Sequence, residues 1–303
     1  MTSLISVLSL IIYVLFLGKA TAFVHIKPAL KSPEKLSSGW RFQSSLFLSS
    51  AALPRLSQND LNELDSSGYV IVENFLPVNL QEDLRTDVKS LRENFKFNIA
   101  KIGQDSTNTL NTDIRVAETC FLGPNKLSDQ PNASCSQLYT ILDQLRQDLP
   151  QPLDQNLSEF LYAYYPKGGF YRSHRDAIPG SASMLRKFSL LLYLNKDWNE
   201  DDGGRLRMHM DSGGDFLGQG EDPNFRDVDP LGGTLVLFES DKLPHEVLDT
   251  QKERMAIVGW YNRPVNANDI AELSGGDFDP VRIVGLAVAA GLVTVGLINL
   301  LSG

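Results

Sequence analysis

Apolar and polar positions along this chain fall into four regimes, and each predicts a different kind of structure. Leu4 to Gly18 is an apolar run followed by Lys19-Ala-Thr-Ala22, with small residues in Ala-x-Ala form. That is the shape of a secretory signal peptide over residues 1–22, and the run is short for a membrane anchor. Residues 23–55 are Ser-rich, basic and nearly free of acid. Such a stretch cannot bury a core, and it predicts a transit peptide or disordered linker.

From 56 to 150 helical and strand periods mix, predicting an α/β supporting region. Asn59-Asp-Leu-Asn-Glu-Leu-Asp65 opens a short helix, and Gly68 to Phe75 is β-branched and aromatic, as a strand requires. Pro77 to Phe95 carries Leu80, Leu84, Val88 and Leu91 at helical spacing, predicting a helix on the outer face of a sheet. Asp113 to Leu122 reads as a strand; Leu138 to Leu149 reads as a helix with Leu138, Ile141, Leu142 and Leu145 on one stripe, stopped by Pro150.

Residues 151–264 change character, with short strands broken by Gly, Pro and Asp. The spacing predicts strands at 160–165, 171–174, 187–194, 204–210, 233–239, 245–248 and 254–262, with no helices between them. That pattern suggests a sandwich or jelly roll, so the fold class is mainly β with α support. Asp211 to Asp229 is a long acidic insertion, expected to be a loop at the substrate entrance. After a polar linker (265–280), residues 281–301 carry one charge, Arg282, and are otherwise mostly apolar, with Asn299 near the end. That length is just enough to span a bilayer, so the expected end is a C-terminal transmembrane helix; a helix buried against the domain is the alternative.

Charge sharpens the division. The chain of 303 residues has a formal net charge of −9, but before Asp60 one acid, Glu34, faces six bases, so the leader is about +5 and the remainder about −14. An acidic catalytic region argues against nucleic acid as a partner. Asp215, Glu221 and Asp222 of the insertion would favour a basic peptide. Two cysteines, Cys120 and Cys135, do not make a disulfide framework. One bridge between them and two buried thiols are both open, and neither fits a metal-binding spacing.

Candidate chemistry gathers in Tyr165-Pro-Lys-Gly-Gly-Phe-Tyr-Arg-Ser-His174-Arg-Asp176. In an extended strand, residues two apart share a face. His174 and Asp176 can therefore reach one ion, and His245 can close the site from a neighbouring strand. Two imidazoles and one carboxylate, leaving other positions open, is the ligand set of non-haem Fe(II) oxygenases. Of the histidines beyond the leader only His209 is left over, and it is expected to be structural. Arg115 and Glu118 are expected to be solvated, with lining of a cleft as the alternative.

The order and spacing of several runs then carry a resemblance. They are the run just quoted, Leu192-Tyr-Leu-Asn-Lys-Asp-Trp198, Asp202-Gly-Gly-Arg-Leu206, Gly233-Thr-Leu-Val-Leu-Phe238, Pro244-His-Glu-Val247 and Glu253-Arg-x-x-Ile-x-x-Trp-Tyr261. Together they resemble the prolyl-4-hydroxylase catalytic domain of 2-oxoglutarate/Fe(II) dioxygenases, most of all its hypoxia-type members and their microbial relatives. The resemblance implies a double-stranded β-helix (jelly roll, cupin-like). It implies His174, Asp176 and His245 as Fe(II) ligands, with 2-oxoglutarate and O2 as cosubstrates and L-ascorbate as a supporting reductant. Arg254 and Tyr193 match the residues that hold the far carboxylate of 2-oxoglutarate. Tyr165 and Trp260 match aromatic positions of the cosubstrate pocket, and Tyr171 matches the substrate pocket. The implied reaction hydroxylates a prolyl residue of a peptide or protein and releases succinate and CO2. The same chemistry on a lysyl residue or small molecule stays open, as does a non-catalytic, membrane-tethered metal/2-oxoglutarate-binding module. The junction Ala20-Thr-Ala-Phe23 resembles that of bipartite plastid leaders. It implies delivery to a plastid by the secretory route, with the secretory pathway itself (ER/Golgi) as the alternative, where the sequons at Asn132 and Asn156 would be usable.

Overall fold

A computed structural model of the chain describes residues 53–103, 109–122, 133–155, 158–210, 224–266, 268, 269 and 272. The expected signal peptide, nearly all of the expected transit segment, most of the linker, the tail 281–301, Asn132, Asn156, Asp215, Glu221 and Asp222 lie outside the described residues. Among the described residues no helix is long and apolar enough to cross a membrane.

Three helices form where the apolar spacing calls for them. α1 (Gln58–Ser67) starts at Ser57, whose hydroxyl accepts the Asp60 N–H while the Asp60 carboxylate accepts the Ser57 N–H. This reciprocal cap satisfies two donors that a helix start leaves without partners. α2 (Val78–Glu93) buries Leu80, Leu84 and Val88. α3 (Ala133–Asp148) buries Leu138, Ile141, Leu142 and Leu145, all at 1% exposure or less. Each such leucine removed from water stabilises the fold by about 1.5–3 kcal/mol.

Twelve strands make two antiparallel sheets among the described residues. They are β1 (Tyr69–Val72), β2 (Asn98–Ile99), β3 (Arg115–Val116), β4 (Glu118–Leu122), β5 (Ser158–Tyr165), β6 (Phe170–His174), β7 (Arg186–Tyr193), β8 (Leu206–His209), β9 (Phe225–Val228), β10 (Leu235–Glu239), β11 (His245–Val247) and β12 (Arg254–Asn262). The larger sheet has the order β1-β10-β7-β12-β5-β4-β2 and the smaller β3-β6-β11-β8-β9. The fold is mainly β, as the spacing predicts.

The larger sheet has two apolar faces. One packs against the helices: Phe160, Tyr162, Leu190, Leu192, Ile257 and Tyr261 share a core with Leu84, Leu138 and Leu142. The other faces the smaller sheet: Leu191, Tyr193, Val236 and Ala256 pack with Leu206, Met208 and Val228, and Leu161, Ala163, Tyr165 and Trp260 with Val247. Period-2 alternation along β5, β7 and β12 produces both faces from single strands.

The structure departs from the predicted elements in three places. The segment expected as one strand at 113–122 is two: β3 pairs with β6 in the smaller sheet and β4 with β5 in the larger. Between them sits Ala117, 4% exposed, small enough to turn inside the core. The acidic insertion ends in a strand, since β9 pairs with β8 from Phe225 to Val228. Its four residues mix exposed Phe225 and Arg226 with half-buried Asp227 and buried Val228; Asp227 pairs twice with Arg207 at 2.8 Å, and the Arg207 guanidinium lies over the Phe225 ring. β2 is two exposed residues, too short to leave an alternation.

Candidate metal centre

The two candidate histidines come from different strands and meet by register. β11 pairs antiparallel with β6, and His245 stands directly opposite His174. β6 ends at His174, so Asp176 lies in the bend after the strand rather than on its face. The bend still carries it inward. The Arg186 guanidinium donates to the Asp176 C=O, and the Ala177 N–H donates to the Ser240 C=O.

Each imidazole is oriented by its own backbone. Nδ1 of His174 is 2.9 Å from the Arg172 carbonyl and Nδ1 of His245 is 3.1 Å from the Leu243 carbonyl. A carbonyl accepts only from N–H, which leaves each Nε2 with its lone pair free. Those Nε2 atoms lie 3.7 Å and 3.6 Å from the two carboxylate oxygens of Asp176. These gaps are too long for hydrogen bonds. They suit donors converging on one cation, and all three donor atoms lie within 4.8 Å of one another. Burial first, then the neighbouring His245, hold His174 far below its ordinary pKa, at about 3, so its ring is neutral. Burial pushes Asp176 up, but His245 and His174, helped by Arg186 and the Ser189 hydroxyl, outweigh it and hold the carboxyl at about 2. Two imidazoles and one carboxylate form the donor set that a divalent iron takes.

A second group of side chains faces the same interior. Arg254 begins β12 opposite Tyr165 of β5 and is 2% exposed. Its Nε donates to the Gly204 carbonyl at 2.8 Å, while Nη1 and Nη2 are buried without a partner. Its guanidinium carbon lies 4.9 Å from the centre of the Tyr165 ring and 5.0 Å from that of Tyr193. The Tyr193 hydroxyl is also buried without a partner. Its pKa is pushed up to about 12 by burial, against the opposing pull of Arg254, so it remains a donor. Leaving buried donors unpaired is costly. A fork of two N–H groups beside a phenol O–H fits a carboxylate. Trp260 lies on the same face of β12, with its indole N–H buried and unpartnered. Met255 and Ile257 bury on the opposite, helix face.

The metal end has an aromatic wall with two arginines. Tyr171 stacks on His174 with centroids 3.6 Å apart, and Phe238 meets His245 edge-on. Arg115 lies over the Tyr171 ring at 4.4 Å, so the residue expected to be solvated borders the site. Arg186, not singled out from sequence, stacks on Trp260 at 3.6 Å, and its second nitrogen donates to Glu159. Its position seven residues before Tyr193 carries no local signal. His209, by contrast, lies near Glu246 (3.5 Å) with Arg207 and Asp227 around it, and Glu118 pairs with Arg92. Cys120 and Cys135 are both buried and form no disulfide, and burial pushes the Cys135 thiol up to about 11. A groove of about 510 Å³ between the end of α2 and β2, lined by Arg92, Phe95, Phe97 and Ile99 among others, contains none of the candidate residues. Side-chain convergence marks the site here, and cavity size does not.

Comparison with known proteins agrees with this geometry. The family model of the 2OG-Fe(II) oxygenase superfamily matches residues 160–262. The hypoxia-inducible factor prolyl hydroxylase of Caenorhabditis elegans is 24% identical over 214 residues, 68% of this chain and 28% of that protein. The chain thus spans less than a third of that relative's length. A solved prolyl-4-hydroxylase of Pseudomonas putida is 30% identical, with a TM-score of 0.55, over 68% of this chain and 98% of that one. A prolyl hydroxylase from Trichoplax adhaerens, solved with a hypoxia inducible factor oxygen degradation domain peptide fragment, is 25% identical, with a TM-score of 0.54, over 72% and 91%.

Proposed function

Because the chain belongs to the 2OG-Fe(II) oxygenase superfamily, we propose that it hydroxylates a prolyl residue of a peptide or protein, using 2-oxoglutarate and O2. The observation that carries this reading is the unpartnered, buried fork of Arg254 with the Tyr193 hydroxyl, in one interior with His174, Asp176 and His245. When bound, iron and 2-oxoglutarate supply the oxidising chemistry: O2 puts one oxygen atom into the C–H bond and the other into succinate, with loss of CO2.

The chain's own residues do the rest. His174, Asp176 and His245 would hold the metal through two imidazole nitrogens and one carboxylate. Arg254 and Tyr193 bind and orient the far carboxylate of 2-oxoglutarate, and Tyr165 and Trp260 wall the pocket against water. Tyr171 and Arg115 border the side from which a substrate approaches His174. The relatives named above support a prolyl substrate by their own described activities. L-ascorbate is proposed as the reductant that sustains turnover.

The test is 2-oxoglutarate decarboxylation by the full-length chain with Fe(II) and ascorbate, together with mass spectrometry of proline-containing peptides. Gain of one oxygen atom on proline, abolished by His174→Ala, is the expected result. Decarboxylation without oxygen transfer to any prolyl peptide would refute the substrate class, and no decarboxylation would refute the activity.

Location is proposed from sequence alone: plastid delivery by the leader and membrane tethering by residues 281–301. Truncation after Pro280 should move the protein to the soluble fraction with activity intact. Retention of the truncated chain in membranes would argue against the anchor.

A further inference from the structure

Thr250 stands between the two halves of the site. It is 0% exposed, in the loop joining β11 to β12, and it holds the turn Pro166–Gly169 that joins β5 to β6. Its N–H donates to the Gly169 carbonyl at 2.9 Å, and its carbonyl accepts the Gly168 N–H at 2.8 Å. Its hydroxyl accepts the Gly169 N–H at 2.9 Å and donates to the Pro166 carbonyl at 2.6 Å. The turn has little freedom of its own: a Cβ at Gly169 would lie 2.8 Å from the Pro166 oxygen and 2.9 Å from the Val116 oxygen. This turn sets where β6 starts, and β6 carries Tyr171 and His174.

The other side of Thr250 touches the Arg254 half. A Cβ at Gly204 would lie 2.9 Å from the Thr250 methyl and 3.0 Å from Cδ of Arg254. Methyl, glycine and arginine stem are therefore stacked in direct contact, with Gly204 at a φ of +73° that suits glycine. The Gly204 carbonyl is also the acceptor that holds Arg254 Nε. Gly203 pairs with Thr250 as an isolated bridge, and the Gly204 N–H donates to the Asp249 carbonyl at 3.1 Å.

Resting on the 2-oxoglutarate/iron reading above, we infer that Thr250 is a positioning residue that keeps the Arg254 fork in register with the metal-ligand strand, so that one dicarboxylate can engage both ends. Valine has the same shape and keeps the methyl and both backbone bonds. It would remove the hydroxyl's contacts to the Gly169 N–H and the Pro166 carbonyl, leaving the turn its own Gly169 N–H to Pro166 carbonyl bond at 2.7 Å and the two Thr250 backbone bonds, with a looser tie to the Arg254 loop.

The experiment titrates full-length wild type, Thr250→Val and Thr250→Ser with Mn(II) by electron paramagnetic resonance, then titrates the Mn(II)-loaded proteins with 2-oxoglutarate by calorimetry. Thr250→Val should weaken 2-oxoglutarate about tenfold, the value of one buried hydrogen bond. The KM for 2-oxoglutarate should rise by the same factor while kcat changes less than about twofold. Thr250→Ser, which keeps the hydroxyl, should stay within about twofold of wild type throughout. A Thr250→Val protein with a lowered melting temperature but wild-type 2-oxoglutarate affinity would overturn the inference, as would a serine variant as weak as the valine one. Should the valine variant not fold, Thr250→Cys, with a weak donor of similar size, should show an intermediate loss, and wild-type affinity in it would also overturn the inference. If wild type itself binds no 2-oxoglutarate with Mn(II), the reading of the site falls; if wild type binds and the variants match it, only the role of Thr250 falls.

Discussion

The two faces of the larger sheet treat buried polar groups in opposite ways. On the helix side the Tyr261 hydroxyl donates to the Leu142 carbonyl at 2.6 Å and the Tyr162 hydroxyl to Asp87 at 2.9 Å. Tyr139 on α3 and Ser158 on β5 are exceptions there, and on the other face Ser189 is paired with Ser240 at 2.8 Å. On the side facing the smaller sheet, Tyr193, both terminal nitrogens of Arg254 and the Trp260 indole lack partners. The same strand, β12, supplies both faces. A paired hydroxyl contributes to the fold, whereas a cluster of unpaired donors around one space is a standing cost that only a ligand offsets. One face is thus built for stability and the other for binding.

Variants on each face can break this comparison. The largest effect is expected from Asp176→Ala, which removes the only anionic donor between His174 and His245. Iron-dependent decarboxylation should fall below detection while the melting temperature changes little; residual activity above a tenth of wild type would remove Asp176 from the metal centre.

Arg254→Met comes next. Losing a charged, two-pronged contact should weaken 2-oxoglutarate by roughly a hundredfold or more. The protein without ligand should be at least as stable as wild type, because an unpaired buried charge is gone. Calorimetry and thermal melts read the two effects separately, and a marked loss of stability with unchanged affinity would reverse the assignment of the faces.

Ile257→Ala, three residues along on the helix face, should do the opposite. A cavity at a site 0% exposed costs about 2–4 kcal/mol in denaturant unfolding, with 2-oxoglutarate affinity within about twofold. A tenfold affinity loss would mean that the two faces are coupled.

Tyr193→Phe is the smallest change. It should raise the KM for 2-oxoglutarate about three- to tenfold and leave the ligand-free protein at neutral pH at least as stable as wild type. The folded Tyr193 pKa of about 12 lies above the unfolded value of about 10. Its contribution is therefore complete below about pH 10 and is lost as pH rises towards about 12. The phenylalanine variant should lose stability less steeply across that window; identical slopes would show that Tyr193 ionises no higher in the folded chain than in the unfolded one.

Much of this was legible because the signals are local. Leu80, Leu84 and Val88 recur at helical spacing whatever lies beyond them, and β12 runs over the residues its alternation predicts. The residue types His, Asp and Arg in ordered motifs also named the chemistry before any contact was known. What stayed hidden depended on residues far along the chain. A four-residue edge strand such as β9, Phe-Arg-Asp-Val, has no apolar alternation to read. Nothing around Arg115 says that Tyr171 will lie beneath it, and nothing near Thr250 says that a turn beginning at Pro166 will close on its hydroxyl.

The sequence by itself determined most of the elements and the residue types of the donor set, since period and residue type are properties of short stretches. Only the tertiary structure decided that β11 pairs with β6 with His245 facing His174, that a bend rather than a strand delivers Asp176, and that Arg254 keeps two donors unpaired. Register and the satisfaction of buried polar groups are settled between strands, where each side chain's partners come from elsewhere in the chain.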